Sequence, residues 1–443
     1  MNAERAHYDV IIAGGGMVGI SFALALNRSS GGELKILVAE SFAIPASTIP
    51  IKAQPQPIYR PSFDARATAL SYGSRCILDN LGVWPTLEQH LAPITTIHVS
   101  ERDRFGSVQL TAEERGWPAL GYVVENMWLG NVLASELRKQ NFADKKGAIT
   151  LLSPATVIDC KPGSDGACIT LEQHGETKQF SADLLAIADG MNSTLRMKLN
   201  IGVRERDYQR QAIIANLCCS QPHNGLAYER FTDWGPMALL PLIPGPLGEI
   251  NSAHETRMAL VWTMNSERAQ HLRGASDGVF LNTLQQRFGE RQGQFTRIGE
   301  RHCYDLKFVA AEEQIRRQVV LIGNAAHSLH PVAGQGFNLA LRDVQRLAEI
   351  ICAAKANGES IGALTVLQRY RQLQSNDQAK TILFSDRVTA LFERPGLIAG
   401  ARHLGLLALD LNIELKNRFV DQTAGFHAGA ALGNSFNHRL DTR

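Results

Sequence analysis

The chain opens with short apolar runs whose spacing predicts a strand–helix–strand unit. Residues 10–13 form a β-branched run that is typical of a buried parallel strand. Apolar residues then recur at helical spacing from residue 18 to residue 26, and residues 33–40 ("ELKILVAE") predict a second buried strand. Together they take the ~30 residues that one βαβ unit requires.

Further along, the hydrophobic pattern alternates between helical and extended segments. Residues 43–63 carry five prolines and no periodicity, which predicts a surface loop, and a helix is predicted from about Ala69 to residue 84. Short strands are predicted over 95–124, a helix over 126–140, and a three-stranded meander over 156–189. Strands dominate 205–310 around one helix at 277–289; residues 318–323 form another buried strand, and the chain after 361 is expected to be helical.

Composition narrows the class of protein. With 443 residues the chain should hold two or three domains, and 44% hydrophobic with 20% charged residues is ordinary for a globular protein. A net charge of +2 argues against nucleic-acid binding. Seven scattered cysteines fit reduced thiols in a cytoplasmic protein. No apolar run reaches the ~18–20 residues of a spanning helix, and the N-terminal run fits a first strand better than a signal peptide.

The first candidate site is the glycine motif that follows the first strand. Gly14, Gly16 and Gly19 stand in G-x-G-x-x-G order where a strand passes into a helix, an arrangement that lets backbone N–H groups approach a pyrophosphate. Glu40 ends the next strand, where a carboxylate can accept hydrogen bonds from ribose hydroxyls. That carboxylate would repel a 2′-phosphate, so the site suits NAD or the adenosine half of FAD. A plain tight turn is the competing interpretation.

The second candidate is "LLAIADGMNSTLR", in which a strand runs into Asp189 and Gly190. Ligands of open α/β folds bind at the carboxyl ends of parallel strands, where this motif would lie. The segment is equally compatible with an Asp-Gly turn in which Ser193 caps a short helix containing Arg196. The residues alone leave both interpretations open.

The third candidate is the stretch "GNAAHSLHPVAGQGFNLALRD" at 323–343. His327 and His330 are three residues apart, but no carboxylate or cysteine lies close in the sequence, and Pro331 breaks the helix that would align them, so no metal site is expected. Apolar spacing from Gly336 onward predicts a long helix. The free N–H groups at the start of this helix would form a binding site for a negatively charged group.

These three motifs, in this order, resemble those of the single-component FAD-dependent aromatic hydroxylases, which carry G-x-G-x-x-G, an Asp-Gly motif and G-D-x-x-H-x-x-x-P-x-x-G-Q-G-x-N. The resemblance spans about residues 8–350. "DARATALSYGSRCILDNLG", "VVEN" and "GQGFNLALRDV" look most similar to the branch that hydroxylates polyprenylphenols in ubiquinone biosynthesis. Asn324 stands where the family usually has Asp, and Gly-Asn-Ala-Ala resembles the 2-polyprenyl-6-methoxyphenol hydroxylases.

The resemblance implies an α/β fold of the glutathione-reductase type, as in p-hydroxybenzoate hydroxylase. A discontinuous Rossmann-like FAD-binding domain would comprise 1–94, 125–204 and 311–360. An antiparallel β-sheet substrate domain would comprise 95–124 and 205–310, and 361–443 would form a C-terminal helical region.

The resemblance also assigns residues to the cofactor. Gly14, Gly16, Gly19 and Glu40 would hold the ADP half of FAD, with Arg66, Asn126 and Asp189 at further cofactor contacts. Asn324 would accept a hydrogen bond from a ribityl hydroxyl through its amide oxygen, without the charge of the usual Asp. Pro331 would lie at the reacting edge of the flavin, beside the turn Gly334, Gln335 and Gly336, which with Phe337 and Asn338 would offer amides to the flavin N1/C2 oxygen side.

The implied activity is ring hydroxylation of a polyprenylated phenol. FAD would be reduced by NAD(P)H, react with O2, and transfer one oxygen atom to an electron-rich ring. NAD(P)H would bind transiently, without a Rossmann domain of its own. The expected partner is a lipophilic polyprenylphenol, in a cytoplasmic protein that could sit at the periphery of the inner membrane or join a biosynthetic complex. Residues 395–415 could make such a membrane contact, although helix packing within the fold explains them better. Homo-oligomerisation is left open.

Rival functions remain at this point. The chain could catalyse another ring hydroxylation of the same pathway, or be a different redox enzyme on the same fold, such as an FAD-dependent reductase or a hydroxylase of a small water-soluble phenol. It could also be a non-catalytic, flavin-holding scaffold in a biosynthetic assembly.

Overall fold

The chain builds three β-sheets and a set of flanking helices within the residues that the computed structural model describes, which are 5–44, 66–104, 106–141, 149–164, 166–244, 256–329, 334–393, 417, 420, 421 and 424. The strands in chain order are β1 (His7–Ala13), β2 (Ile36–Ala39), β3 (Ala67–Ser71), β4 (Leu91–Ile94), β5 (Thr96–Glu101), β6 (Ser107–Thr111), β7 (Gly121–Glu125), β8 (Ile149–Leu152), β9 (Thr156–Lys161), β10 (Ala167–Gln173), β11 (Glu176–Ile187), β12 (Val203–Cys219), β13 (Leu226–Thr232), β14 (Gly235–Pro241), β15 (Thr256–Asn265), β16 (Phe295–Ile298), β17 (His302–Ala311), β18 (Ile315–Arg316), β19 (Val319–Leu321) and β20 (His327–Ser328). The helices in this part of the chain are α1 (Met17–Ser29), α2 (Tyr72–Asn80), α3 (Trp84–Leu87), α4 (Asn126–Asn141), α5 (Thr194–Lys198), α6 (Ser266–Gly274), α7 (Asp277–Phe288), α8 (Gln335–Ala356) and α9 (Leu364–Glu393).

The first sheet has a parallel centre in the order β19-β11-β1-β2-β8. β1 and β2 are buried on both faces over their apolar runs, as parallel strands covered on two sides must be. Helices α1, α4 and α8 cover one face, and the antiparallel pair β9–β10 with α5 covers the other. The predicted βαβ unit and the meander at 156–189 are confirmed.

A small sheet in the order β3-β7-β4 corrects one prediction. The helix expected from about Ala69 begins only at Tyr72, because Ala67–Ser71 is a strand that pairs antiparallel with β7. Those five residues carry no strong local preference, so pairing with a segment at least fifty residues away decides their conformation.

The second large sheet has the order β20-β17-β12-β15-β14-β13-β5-β6, with β16 paired to β12. Its pairs are antiparallel except for β13 with β5. Two helices, not one, flank it: α6 was missed because "SERAQHLRG" is polar nearly throughout and buries only Ala269 and Leu272. Asn265 caps α6 by accepting the Arg268 N–H at 3.0 Å.

The long helix after the third motif begins at Gln335, two residues before the start predicted just after Gly336, and α9 continues the helical region expected after 361. Most of the predicted loop at 43–63 and the segment 395–415 lie outside the described residues. None of the described helices is both long enough and apolar enough to cross a membrane.

Candidate active site

The glycine motif is fixed by close backbone approaches. Gly14 has φ +109°, and a Cβ there would lie 2.5 Å from the carbonyl oxygen of Ala188. A Cβ on Gly19 would lie 1.9 Å from the Gly14 oxygen, so only glycine lets α1 start this close to β1. Gly15, which the motif pattern leaves free, is constrained as well, because its Cβ would lie 2.7 Å from the Glu40 Cβ.

The N-terminus of α1 is available to an anion. Gly16 is its cap residue and provides no side-chain hydrogen bond, and the first turn contains no acidic residue. The free N–H groups and the helix dipole therefore face the cavity without a competing protein group. This arrangement fits the pyrophosphate of FAD.

Glu40 follows β2 directly and is tied to the glycine loop. Its Oε2 accepts the Gly15 N–H at 2.6 Å, and its Oε1 accepts the Phe42 N–H at 2.9 Å. Oε1 also accepts from the Ser41 hydroxyl at 3.3 Å, whereas Oε2 keeps a second lone pair that can accept from a ribose hydroxyl. The carboxylate thus orders the loop and remains an acceptor beside it.

The Asp-Gly motif caps a short helix and also borders the cavity. Ser193 caps α5 by accepting the Arg196 N–H at 3.1 Å, as the capping interpretation requires. Asp189 lines the cavity, and burial raises the pKa of its carboxyl even though Ser193 and the Leu195 N–H form hydrogen bonds to it. The buried Arg196 donates to the carbonyl oxygens of Met191 and Ala325, at 2.9 Å each, which fastens this loop to the third motif.

The third motif starts with a 3-10 turn at Gly323–Ala325. Gly323 has φ +58°, and a Cβ at this position would lie 3.0 Å from a γ-carbon of Val18. Asn324 is exposed toward the cavity. Pro331 and His330 lie outside the described residues.

Asn338 holds the start of α8. Its Oδ1 accepts from the Ser71 N–H (2.9 Å) and the Ser74 hydroxyl (2.7 Å), and its Nδ2 donates to the carbonyl oxygens of Ala69 (2.9 Å) and Gly334 (2.8 Å). These four bonds satisfy the amide, so the side chain positions the turn, and contacts to a ligand are left to the backbone. Gly336 faces open space, which leaves room for a ligand.

A single cavity of about 1530 Å³ brings the three motifs together. The residues selected from the sequence that line it are Gly14, Gly16, Glu40, Arg66, Asn126, Asp189, Asn324, Gly334, Gln335, Gly336, Phe337 and Asn338. Gly19 does not line it, since it is packed against Gly14.

Arg66 and Asn126 lie next to each other at the junction of the small sheet with α4. The Asn126 N–H donates to the Arg66 carbonyl oxygen at 2.7 Å, and Thr68 donates its hydroxyl proton to the Asn126 Oδ1 at 2.6 Å. The Arg66 guanidinium lies 4.8 Å from the ring centroid of Tyr304 on β17. This group connects the small sheet and α4 with β17 of the second sheet.

His327 has a carboxylate partner that the sequence analysis missed. Its Nε2 lies 2.7 Å from Oδ2 of Asp343, and both side chains are buried. Asp343 stands on α8, sixteen residues away, and Gln378 on α9 donates to the same oxygen at 3.1 Å. The described residues contain no cluster of three or more potential metal ligands, and this pair joins β20 to α8 and α9.

The far end of the cavity is an apolar wall built by the second sheet. Its lining there includes Val99, Ala238, Leu240, Val261 and Ile214. Among them stands Glu229 on β13, whose pKa burial raises to about 7. No pattern in the sequence singles out this carboxyl.

Comparison with known proteins decides the family. A family model described as an FAD binding domain matches residues 7–372. The chain belongs to this family.

Full-length relatives agree with the assignment. The chain is 32% identical to ubiquinone hydroxylase UbiL of Rhodospirillum rubrum, over 94% of this chain and 89% of that protein. It is 29% identical to 3-demethoxyubiquinol 3-hydroxylase of Escherichia coli, over 94% and 98%. The chain is thus an FAD-dependent aromatic hydroxylase of the ubiquinone-biosynthesis family, with NAD(P)H and O2 as co-substrates.

The fold agrees as well. The crystal structure of p-nitrophenol 4-monooxygenase PnpA from Pseudomonas putida superposes with a TM-score of 0.70 at 15% identity, covering 96% of this chain and 100% of that one. The fold is the α/β type of p-hydroxybenzoate hydroxylase, as the sequence predicted.

Proposed function

We propose that the chain hydroxylates the aromatic ring of a polyprenylated phenol, 2-polyprenyl-6-methoxyphenol, in ubiquinone biosynthesis. The observation that carries this proposal is the one cavity that runs from the glycine loops to an apolar wall on the second sheet. Its volume of about 1530 Å³ exceeds the ~300–1,000 Å³ of ordinary small-ligand pockets. A cofactor and a substrate with a hydrocarbon tail would use that space.

The residues present fit FAD. Gly14, Gly16 and the uncapped start of α1 would hold the pyrophosphate, Gly19 would permit that approach, and Glu40 would accept from the ribose. FAD, when bound, supplies the reaction with O2 that delivers one oxygen atom to the ring.

The other selected residues would serve the rest of the cofactor. Arg66, Asn126 and Asp189 would lie along it, and Asn324 would accept from the ribityl chain. The α8 N-terminus has no side-chain cap, so its backbone N–H groups would stabilise negative charge on the flavin. Those groups belong to the Gly334–Gln335–Gly336 turn and to Phe337 and Asn338. We place Pro331 at the reacting edge of the flavin.

The apolar wall would bind the substrate ring and exclude water from it. Leu240, Val261 and Ile214 offer no hydrogen-bond partner to water, so a bound ring would displace solvent and protect the reactive cofactor. We also propose the domain division given above, with FAD bound by 1–94, 125–204 and 311–360. β20 within the last segment pairs with β17, which joins the two proposed domains.

The decisive experiment is deletion of the gene followed by mass spectrometry of the accumulating quinone precursor. Accumulation of 2-polyprenyl-6-methoxyphenol supports the assignment, and reintroduction of the intact gene should remove it. Accumulated demethoxyubiquinone would identify another hydroxylation step, and unchanged quinones would reject the pathway.

A complementary assay uses the purified flavoprotein. A prenylated phenol should stimulate oxygen-dependent NAD(P)H consumption and yield a hydroxylated product. Preference for a small soluble phenol would favour that rival substrate class. If NAD(P)H does not bleach the yellow colour of the purified protein, the result would favour the non-catalytic, flavin-holding scaffold.

We further propose a cytoplasmic protein at the periphery of the inner membrane, where a polyprenyl substrate resides. An association with other enzymes of the same biosynthesis would serve the same purpose. Co-sedimentation with membrane vesicles, with and without a salt wash, distinguishes peripheral attachment from none.

A further inference from the structure

Glu229 is a carboxyl group without a partner in the described part of the chain. It stands in the middle of β13, where its side chain faces the cavity. The structure gives its half-buried side chain no hydrogen bond or ion pair with any described residue, so the carboxyl is open to a partner from the cavity. A ligand would supply that partner.

The strand register surrounds Glu229 with apolar side chains. Its neighbours across the sheet are Val99 on β5 and Ala238 on β14. The same row continues to Val108 on β6 at one side and to Val261 and Ile214 at the other. All of these line the cavity, so Glu229 is the single polar group in the six-strand part of the row that lines it; the next position of the row, on β17, is His302.

Other charged groups of the neighbouring elements are directed elsewhere or engaged. Arg230 alternates to the opposite face of β13, where it donates to Ser100. Glu101, farther along β5, lies 3.7 Å from Arg104. The remaining ionisable side chains of the cavity wall are Tyr228, the residue before Glu229 on β13; Tyr304, Asp305 and Lys307 on β17, which pairs with β12 and β20; and Glu40, Arg66 and Asp189 outside this sheet.

Burial alone raises the pKa of Glu229 to about 7, with no contribution from a neighbouring charge. The carboxyl therefore changes charge within the physiological range. A neutral phenol can donate its O–H to such a group, whereas an aromatic carboxylate would meet a like charge in an apolar surrounding.

We propose that Glu229 binds the ring hydroxyl of the substrate, accepting its O–H hydrogen bond, and that it selects neutral phenols over aromatic carboxylates. This inference rests on the proposed function. The row of apolar residues holds the hydrocarbon part of the substrate, and Glu229 orients the ring within it.

The test compares Glu229→Leu and Glu229→Gln in the FAD-loaded enzyme, with 2-geranylphenol as the probe. Glu229→Leu removes the acceptor and should raise the KM for 2-geranylphenol about tenfold to a hundredfold, with more NAD(P)H ending as hydrogen peroxide. Glu229→Gln keeps an acceptor oxygen and should stay within about threefold of wild type below pH 7. Glu172→Gln, an exposed glutamate on β10, is the matched control.

Two further readouts separate substrate recognition from a structural role. In wild type the KM for 2-geranylphenol should fall as pH rises through about 7, because a charged acceptor binds the hydroxyl more strongly, and Glu229→Gln should lose this dependence. At pH 8, Glu229→Gln should bind 4-hydroxybenzoate about tenfold more tightly than wild type does, since the like charge is gone.

Binding measured by calorimetry keeps the inference independent of turnover. If wild type binds 2-geranylphenol but does not hydroxylate it, the proposed function fails and Glu229 can still be judged by the affinities. If Glu229→Leu binds and turns over the probe as Glu172→Gln does, or Glu229→Gln retains the pH dependence, the assignment of Glu229 is wrong. Absence of any binding to wild type overturns both.

Discussion

A carboxyl group without a partner destabilises the folded protein most when it is charged, and Glu229 makes this measurable. Its folded pKa of about 7 lies above the ordinary value of 4.5, so its unfavourable effect is absent below pH 4.5 and complete above about pH 7. We expect Glu229→Gln to raise the free energy of unfolding by up to about 3 kcal/mol at pH 8, and by much less at pH 5. Urea denaturation at both pH values measures the difference.

Glu172→Gln serves as the control in this experiment too, because its exposed side chain should leave stability unchanged at both pH values. An equal effect of Glu229→Gln at pH 5 and pH 8 would show that Glu229 is solvated or paired in solution. If Glu229→Gln is more stable but binds the phenol poorly, the wild-type Glu229 lowers the stability of the protein and serves substrate recognition.

Glu40 gives a second prediction at a single residue. Glu40→Leu removes the acceptor of the Gly15 N–H and the candidate acceptor of the ribose, so the Kd for FAD should rise by tenfold or more. Titration of the apoprotein, followed by FAD fluorescence, measures this constant. Glu176→Gln, exposed on β11, should bind FAD as wild type does; a Glu40→Leu variant with the same affinity would remove Glu40 from the cofactor site.

Single residues were predictable from the sequence where the chemistry is local. The glycine loop, Glu40 and the Ser193 cap each depend on neighbours within one βαβ unit or one turn, which a sequence shows directly. Asp343 and Glu229 were not predictable, because the partner of one is sixteen residues away and the apolar row around the other comes from five other strands.

At the scale of elements, Asn338 links α8, β3 and the beginning of α2. Asn338→Leu leaves the Ser71 N–H and the Ala69 carbonyl without their side-chain partner in a buried position, which should cost about 3 kcal/mol of stability. Thermal and urea unfolding of the apoprotein measure this loss.

The matched control for that change is Asn282→Leu on the exposed side of α7, where stability should change by less than about 0.5 kcal/mol. Equal stability of the two variants would mean that water replaces the Asn338 amide. The FAD affinity of Asn338→Leu should also fall, since the start of α8 lines the cavity.

Elements with strong periodicity were predicted from the sequence, and weak ones were not. The β1–α1–β2 unit, α4 and α8 have apolar faces that fix their type. β3 and α6 have no such faces. β3 is a strand because it pairs with β7, and α6 forms a helix with only an Asn265 cap and two buried residues. Tertiary context overrides propensity at both places.

For the whole molecule, FAD should act as a stabilising ligand. It would contact segments from the glycine loop, the Asp-Gly loop and α8, so it binds the folded chain and not the unfolded one. A concentration of FAD one hundred times its Kd should add about 2.7 kcal/mol to the stability of the apoprotein. Differential scanning fluorimetry should show a Tm that rises with FAD concentration; riboflavin, which lacks the ADP half, is the control, and an unchanged Tm would argue against this site.

The overall architecture was predictable because the three motifs identify a family, and the family fixes the arrangement of sheets. The physical pattern alone gave one βαβ unit and an antiparallel layer. It could not give the order of strands in the first sheet, where β1 lies between β2 and a strand that ends near residue 187.

That order has a consequence for how the protein is made. The start of α8 lines the cavity together with the glycine loop, and it follows β1 in the chain by more than three hundred residues. If FAD binds as proposed, the nascent chain would have no complete flavin site until α8 (Gln335–Ala356) has emerged from the ribosome. Flavin would then load late in synthesis, and until then the unpaired strand edges of the partly formed sheets would be exposed to aggregation.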